Sequence, residues 1–154
     1  MRDYSSLALR LALGLTFLYS VGDRLGVLGP PGTPNVTWGN FSRFTAYVGV
    51  LNWYLPHRLL PSLAWIDTAI EVFLGVALVI GLRLRLVSIV SAFLLLAFAT
   101  TMATALGIGA PVAYSVFTAS AGAFLLAACY SSRWTLDLRR NPRDVTFHSN
   151  IPSS

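Results

Sequence analysis

Leu63 to Leu82, LAWIDTAIEVFLGVALVIGL, carries two carboxylates near its middle, Asp67 and Glu71. A membrane-spanning helix needs about 20 predominantly apolar residues, and this stretch supplies them. A charge at the centre of such a helix costs about 2.5–3.5 kcal/mol on insertion scales. Asp67 and Glu71 are four residues apart, so both lie on one helical face. Ala64 and Gly75 extend that face, and small residues there let a second backbone approach. The opposite face, Trp65, Val72, Phe73, Val76 and Ile80, suits lipid. The helix is therefore expected to turn its acids inward, toward partners supplied by the rest of the chain.

The composition agrees with a membrane setting. Of 154 residues, 55% are hydrophobic and 11% charged, against about 25% charged in an ordinary soluble domain. All basic residues are Arg, and the net charge of +5 comes from arginines placed mainly at helix ends. Topology explains that placement, so nucleic acid is not an expected partner. The single cysteine, Cys129, lies in an apolar segment and reads as helix packing. No intrachain disulfide or cysteine metal set follows from one cysteine. His57 stands alone at a loop edge, and no metal site is expected.

The predicted elements make an all-α integral membrane four-helix bundle. Its spans fall at about 5–25, 62–82, 86–106 and 111–130. The first apolar run contains Arg10 and ends without a clear small-residue cleavage site, so it reads as a retained helix. Residues 26–40, rich in Gly and Pro, form a loop. Residues 41–55 place Phe41, Phe44, Val48, Leu51 and Leu55 on one stripe. They predict an additional short interfacial helix between the first and second spans, N-capped by Asn40 and stopped by Pro56. Trp38, Trp53, Tyr54 and Trp65 read as an aromatic belt. Residues 131–154 read as an Arg-rich, partly disordered cytoplasmic tail.

Arginine counts set the orientation. With both termini cytoplasmic, the inner side holds Arg2, Arg83, Arg85, Arg133, Arg139, Arg140 and Arg143, and the outer side Arg24, Arg43 and Arg58. The expected location is the inner membrane, multi-pass. At the helical rise, Glu71 lies near the midplane and Asp67 about 6 Å further out. Thr100, Thr101 and Thr104 of the third span, and Tyr114, Ser115 and Thr118 of the fourth, fall in the same outer half. Arg24 reaches that level from the first span. A shared polar pocket is expected there, although Thr and Ser hydroxyls also bond their own helix carbonyls. Arg10 lies inward of Glu71 by about 9 Å of helical rise. For both Arg10 and Arg24, pairing with the acids competes with snorkelling to the headgroups.

Two patterns resemble the DoxX family (DoxX/DoxD-like small four-helix membrane proteins) over most of residues 7–130. In the first span they are Arg10-Leu11, Gly14 and Phe17-Leu18-Tyr19-Ser20-Val21-Gly22-Asp23-Arg24-Leu25. In the second they are Glu71, Leu74-Gly75 and Gly81-Leu82-Arg83-Leu84-Arg85. Val21 stands where that family usually has Gly, and Arg24 where it usually has Lys. The resemblance implies a subunit of a quinone-linked membrane redox system acting in thiosulfate, thiol or quinone-stress chemistry. Asp67 and Glu71 would then be catalytic, handling protons. Arg10, Arg24, Thr100, Thr104, Tyr114 and Thr118 would bind substrate. No cofactor is expected to be covalently bound; the electron carrier would be a quinone or a partner. Two other classes stay open. One is a non-catalytic scaffold docking a soluble redox enzyme at the tail; the other is a small transporter. A homo-oligomer fits any of them.

Overall fold

The computed structural model describes residues 2–129. Among these residues all regular structure is helical. The elements are α1 (Arg2–Arg24), α2 (Phe41–Leu51), α3 (Leu60–Ile80), α4 (Leu84–Leu106), α5 (Gly109–Ala113) and α6 (Val116–Cys129), with one 3-10 turn at His57–Leu59 leading into α3. The expected Arg-rich tail at 131–154 lies outside the described residues.

Among the described residues, three helices are long and apolar enough to cross a membrane: α1, α3 with its leading 3-10 turn, and α4. The expected fourth span is interrupted. Tyr114 closes α5, and Ser115 takes a left-handed conformation, φ 56°, before α6 begins. Helix α6 has 14 described residues, about 21 Å at the α-helical rise. It packs against α4 and α1. The Ser120 hydroxyl donates to the Ala92 carbonyl of α4 at 2.8 Å, and Gly122 faces Leu9 of α1.

Helices α1 and α3 run antiparallel in close contact, because glycines meet where they cross. A Cβ on Gly14 would lie 2.9 Å from the Gly75 carbonyl oxygen, and one on Gly75 would lie 3.1 Å from the Gly14 carbonyl oxygen. Only two residues without side chains let the backbones come this near. Around the crossing, Leu13, Phe17, Leu74, Ala77 and Leu78 join Leu84, Val87 and Ala92 of α4 and Ala123 and Leu126 of α6 in one core. The reverse face of α3 is open. Trp65, Val72, Phe73, Val76 and Ile80 are all exposed, a bare apolar surface of the kind that lipid covers.

The amphipathic helix forms where the stripe predicts it, but it is shorter. The Asn40 side chain accepts from the Arg43 backbone N–H at 2.9 Å, which starts it. It ends at Leu51 rather than Leu55. The Asn52 backbone N–H and side-chain amide both donate to the Val48 carbonyl, and so close the last turn ahead of Pro56. Phe44 and Val48 pack on Leu60 and Ala64 of α3 in a second, smaller core. Trp65 stacks on Phe41, with ring centroids 4.2 Å apart. Trp38 turns inward onto Phe44 and Tyr47, whereas Trp53 and Tyr54 are exposed.

Candidate functional site

The last turn of α1 carries Ser20 and Arg24 one helical turn apart, and α3 presents Asp67, Thr68 and Glu71 opposite them. The Arg24 side chain, 2% exposed, enters the gap between the helices. Its Nη1 donates to Asp67 Oδ2 at 2.9 Å and to Thr68 Oγ1 at 3.3 Å. Its Nη2 donates to Glu71 Oε2 at 2.7 Å and to Ser20 Oγ at 3.0 Å. Its Nε donates to the Ser20 carbonyl at 3.3 Å. A guanidinium has five N–H donors, and each has a partner here. The Phe44 ring of α2 lies over the guanidinium, 3.8 Å from its central carbon to the ring centroid. The ring's negative face favours a cation there. Thr68 completes the set by donating its own hydroxyl hydrogen to the Ala64 carbonyl at 2.7 Å.

This arrangement settles how two carboxylates sit in an apolar helix. Both are drawn to one cation, as the spacing of Asp67 and Glu71 anticipates, and Arg24 pairs instead of snorkelling. Each oxygen named is satisfied, as a buried ion pair requires. Formally the cluster holds one positive and two negative groups. Asp67 is its outlet. It lines a cavity of about 170 Å³ shared with Asn52, Leu63, Leu94, Phe98 and Thr101.

The other expected site residues lie elsewhere. Arg10 is buried, and its Nη2 donates to the Val79 carbonyl at 3.5 Å. Val79 is eight residues beyond Glu71, about 12 Å along α3, so Arg10 serves the opposite end of the α1–α3 contact. Thr100 and Thr104 are exposed and spend their hydroxyls on the carbonyls of Leu96, Thr100 and Thr101 in their own helix. Of the α4 threonines it is Thr101 that reaches the Asp67 cavity. Thr118 lines a separate cavity of about 300 Å³ against α1, with Leu9, Thr16 and Ser115. Tyr114 is exposed at the α5–α6 break. It lies near Tyr47, whose phenol is pushed above its ordinary value by burial and, less strongly, by Tyr114. The pocket shared by all the helices does not assemble. The break at Ser115 and the rotation of α4 send these side chains to different faces.

Two residues of the site were not expected from the sequence. Phe44 was legible only as one member of the α2 apolar stripe. Asp23, beside Arg24 and 3% exposed, organises the loop. Its carboxylate accepts from the backbone N–H groups of Thr37 at 2.9 Å, Trp38 at 3.2 Å and Gly39 at 3.0 Å. A charged residue ending an apolar helix just before a Gly/Pro-rich loop was the available signal for it.

The family model for methylamine utilisation protein MauE matches residues 2–113. The chain belongs to the MauE family. The match runs from α1 through α5 and takes in every residue of the Arg24 cluster. No curated protein and no solved structure shows significant similarity to the chain. The resemblance to DoxX is overturned, since MauE is a different membrane protein family. The motifs that suggested it have a packing cause. Gly14 and Gly75 are required by the helix crossing, and Gly81, φ 80°, caps α3 in the left-handed conformation. Glycines placed for such reasons recur in close-packed membrane helices of any family.

Proposed function

We propose that this MauE-family chain is a membrane subunit of a redox system, and that the Arg24–Asp67–Glu71 cluster takes up and returns a proton for a quinone-type partner. The family description, methylamine utilisation, supports the redox setting. The observation that carries the proton role is the cluster's charge count. With both carboxyls ionised, one guanidinium leaves a net charge of −1; with one proton bound the cluster is neutral. A single proton therefore toggles a buried site between two charge states while the five hydrogen bonds of Arg24 hold its geometry. Asp67, at the cavity wall, is the point of proton entry, and Glu71, 4% exposed, is the inner seat. Groups positioned in this way contribute roughly 10²–10⁴-fold to proton-coupled steps.

In this reading the chain crosses the inner membrane four times, α5 and α6 forming the fourth span. Both termini are cytoplasmic, and the cluster lies in the outer half of the bilayer. The arginine bias supports that orientation.

Glu71→Gln is the decisive substitution, because it reproduces the neutral state and so spares the fold. With the protein in mild detergent, a short-chain quinol and a soluble one-electron acceptor that takes its two electrons, the exchange of the quinol's protons into the medium is followed with a pH indicator dye. Loss of exchange by at least tenfold at unchanged melting temperature is expected. Full quinone binding and full proton exchange in the variant would end the proposal.

A further inference from the structure

The cavity beside Asp67 lies between α2, α3 and α4. Leu51, Leu63, Leu94 and Phe98 give it apolar walls. Ala97, also in the lining, is exposed on the membrane-spanning helix α4, so an apolar molecule can enter from the lipid side. Asp67, Asn52 and Thr101 are the polar lining. Much of their hydrogen-bonding capacity is already spent, and what remains is selective. Thr101 donates its hydroxyl hydrogen to the Phe98 carbonyl at 3.0 Å, which leaves it only lone pairs to offer. Asp67 Oδ2 accepts from Arg24, and Oδ1 accepts from no group among the described residues. The Asn52 amide donates to the Val48 carbonyl and its oxygen accepts from the Tyr54 hydroxyl, so one side-chain N–H is left. The cavity thus offers chiefly acceptors, the Asp67 carboxylate on α3 and the Thr101 hydroxyl on α4, against a single donor.

We propose that this cavity binds the reduced, hydroquinol form of a one-ring quinone and rejects fused two-ring heads. The assignment rests on the proton role given above for the class of partner, and adds the partner's size and redox state. Size follows from volume. The cavity holds about 170 Å³, close to the roughly 150 Å³ of an apolar cavity that takes a single benzene ring. A second fused ring exceeds that space. Redox state follows from the lining. A hydroquinol hydroxyl donates, and either acceptor can receive it. A quinone carbonyl only accepts, and so meets the Asp67 oxygen with no hydrogen between them. A hydrogen bond to a charged group is worth roughly ten- to hundredfold in affinity. Two hydroxyls on opposite edges of one ring also suit acceptors carried on two different helices.

The test titrates the full chain in mild detergent by anaerobic calorimetry, with empty micelles as the blank and no electron acceptor present. Methylhydroquinone should bind more tightly than methylbenzoquinone by about tenfold or better. Methylnaphthohydroquinone should bind on the order of tenfold more weakly than methylhydroquinone, because it overfills the site. Asp67→Asn retains the shape of the side chain and should remove the preference for the reduced form. Thr101→Val lies outside the ion cluster and should weaken methylhydroquinone without weakening methylbenzoquinone. Equal affinity for the two redox forms would overturn the proposal, as would a preference that survives Asp67→Asn. So would native binding of the two-ring quinol as tight as that of the one-ring quinol. Displacement of methylhydroquinone by ethylammonium chloride but not by sodium chloride would also overturn it, giving the cavity to a small organic cation. These outcomes are separate from those of the proton assay. Full proton exchange in Glu71→Gln would end the proton role, whereas ring selectivity is read as binding without turnover.

Discussion

Asp23 and Arg24 are consecutive on the last turn of α1, yet each fastens a different part of the chain. The Asp23 carboxylate accepts from three successive backbone N–H groups of the loop, at Thr37, Trp38 and Gly39. The Arg24 guanidinium binds both carboxylates of α3. Successive residues on a helix project about 100° apart, so a single turn can serve two neighbours. The loop and α3 are thereby registered against the same end of α1.

Arg24→Met should be among the most damaging single substitutions. It leaves two buried carboxyl groups without their cation, a loss of about 3–5 kcal/mol for a broken buried pair. The melting temperature in detergent should fall sharply. The triple variant Arg24→Met, Asp67→Asn, Glu71→Gln removes every charge at once and should recover most of the loss. If the triple variant were no more stable than the single one, the ion cluster would not be the reason Arg24 matters.

Asp23→Ala removes three acceptor contacts at a buried position. Leaving those N–H groups unsatisfied should cost about 1–3 kcal/mol. Hydrogen exchange at the amides of 37–39 should accelerate in this variant, while exchange in the middle of α3 stays slow. Uniform acceleration through the bundle would contradict a role confined to the loop.

Gly75→Val tests the helix crossing. Its side chain would meet Leu18 and the Gly14 carbonyl, and overpacking of this kind typically costs about 1–3 kcal/mol. A lower melting temperature is expected, together with longer distances between spin labels on exposed positions of α1 and α3. Unchanged distances would mean that the helices accommodate the new side chain in place.

Thr100→Ala and Thr104→Ala should be close to silent. Both hydroxyls bond carbonyls of their own helix, and exposed substitutions of this type usually shift stability by less than about 0.5 kcal/mol. Proton exchange in the quinol assay should also be unchanged. Thr101→Val, at the cavity beside Asp67, is the informative contrast and should slow it.

The pairing of acids with a basic residue was legible because charge in an apolar helix has few outlets. Once Asp67 and Glu71 share a face, a cation on a neighbouring span is the economical answer, and Arg24 lies at the matching depth. Depth was a poor guide to the threonines, because depth and direction are independent. Thr100, Thr101 and Thr104 lie within about one turn of α4, but its rotation brings only Thr101 to the Asp67 cavity. The break at Ser115 was also hidden, since an apolar run beginning at Pro111 reads as one continuous helix. The DoxX resemblance has a related cause: its patterns consist largely of glycines that close helix contact demands.

The ring of Phe44 belongs to the short amphipathic α2, outside the three long apolar helices. The hydration of the most deeply placed charges therefore depends on whether that short helix stays seated. A molecule that lifted α2 from outside would let water reach Arg24 and its carboxylates without moving any long helix, linking events at the membrane surface to the protonation of its interior.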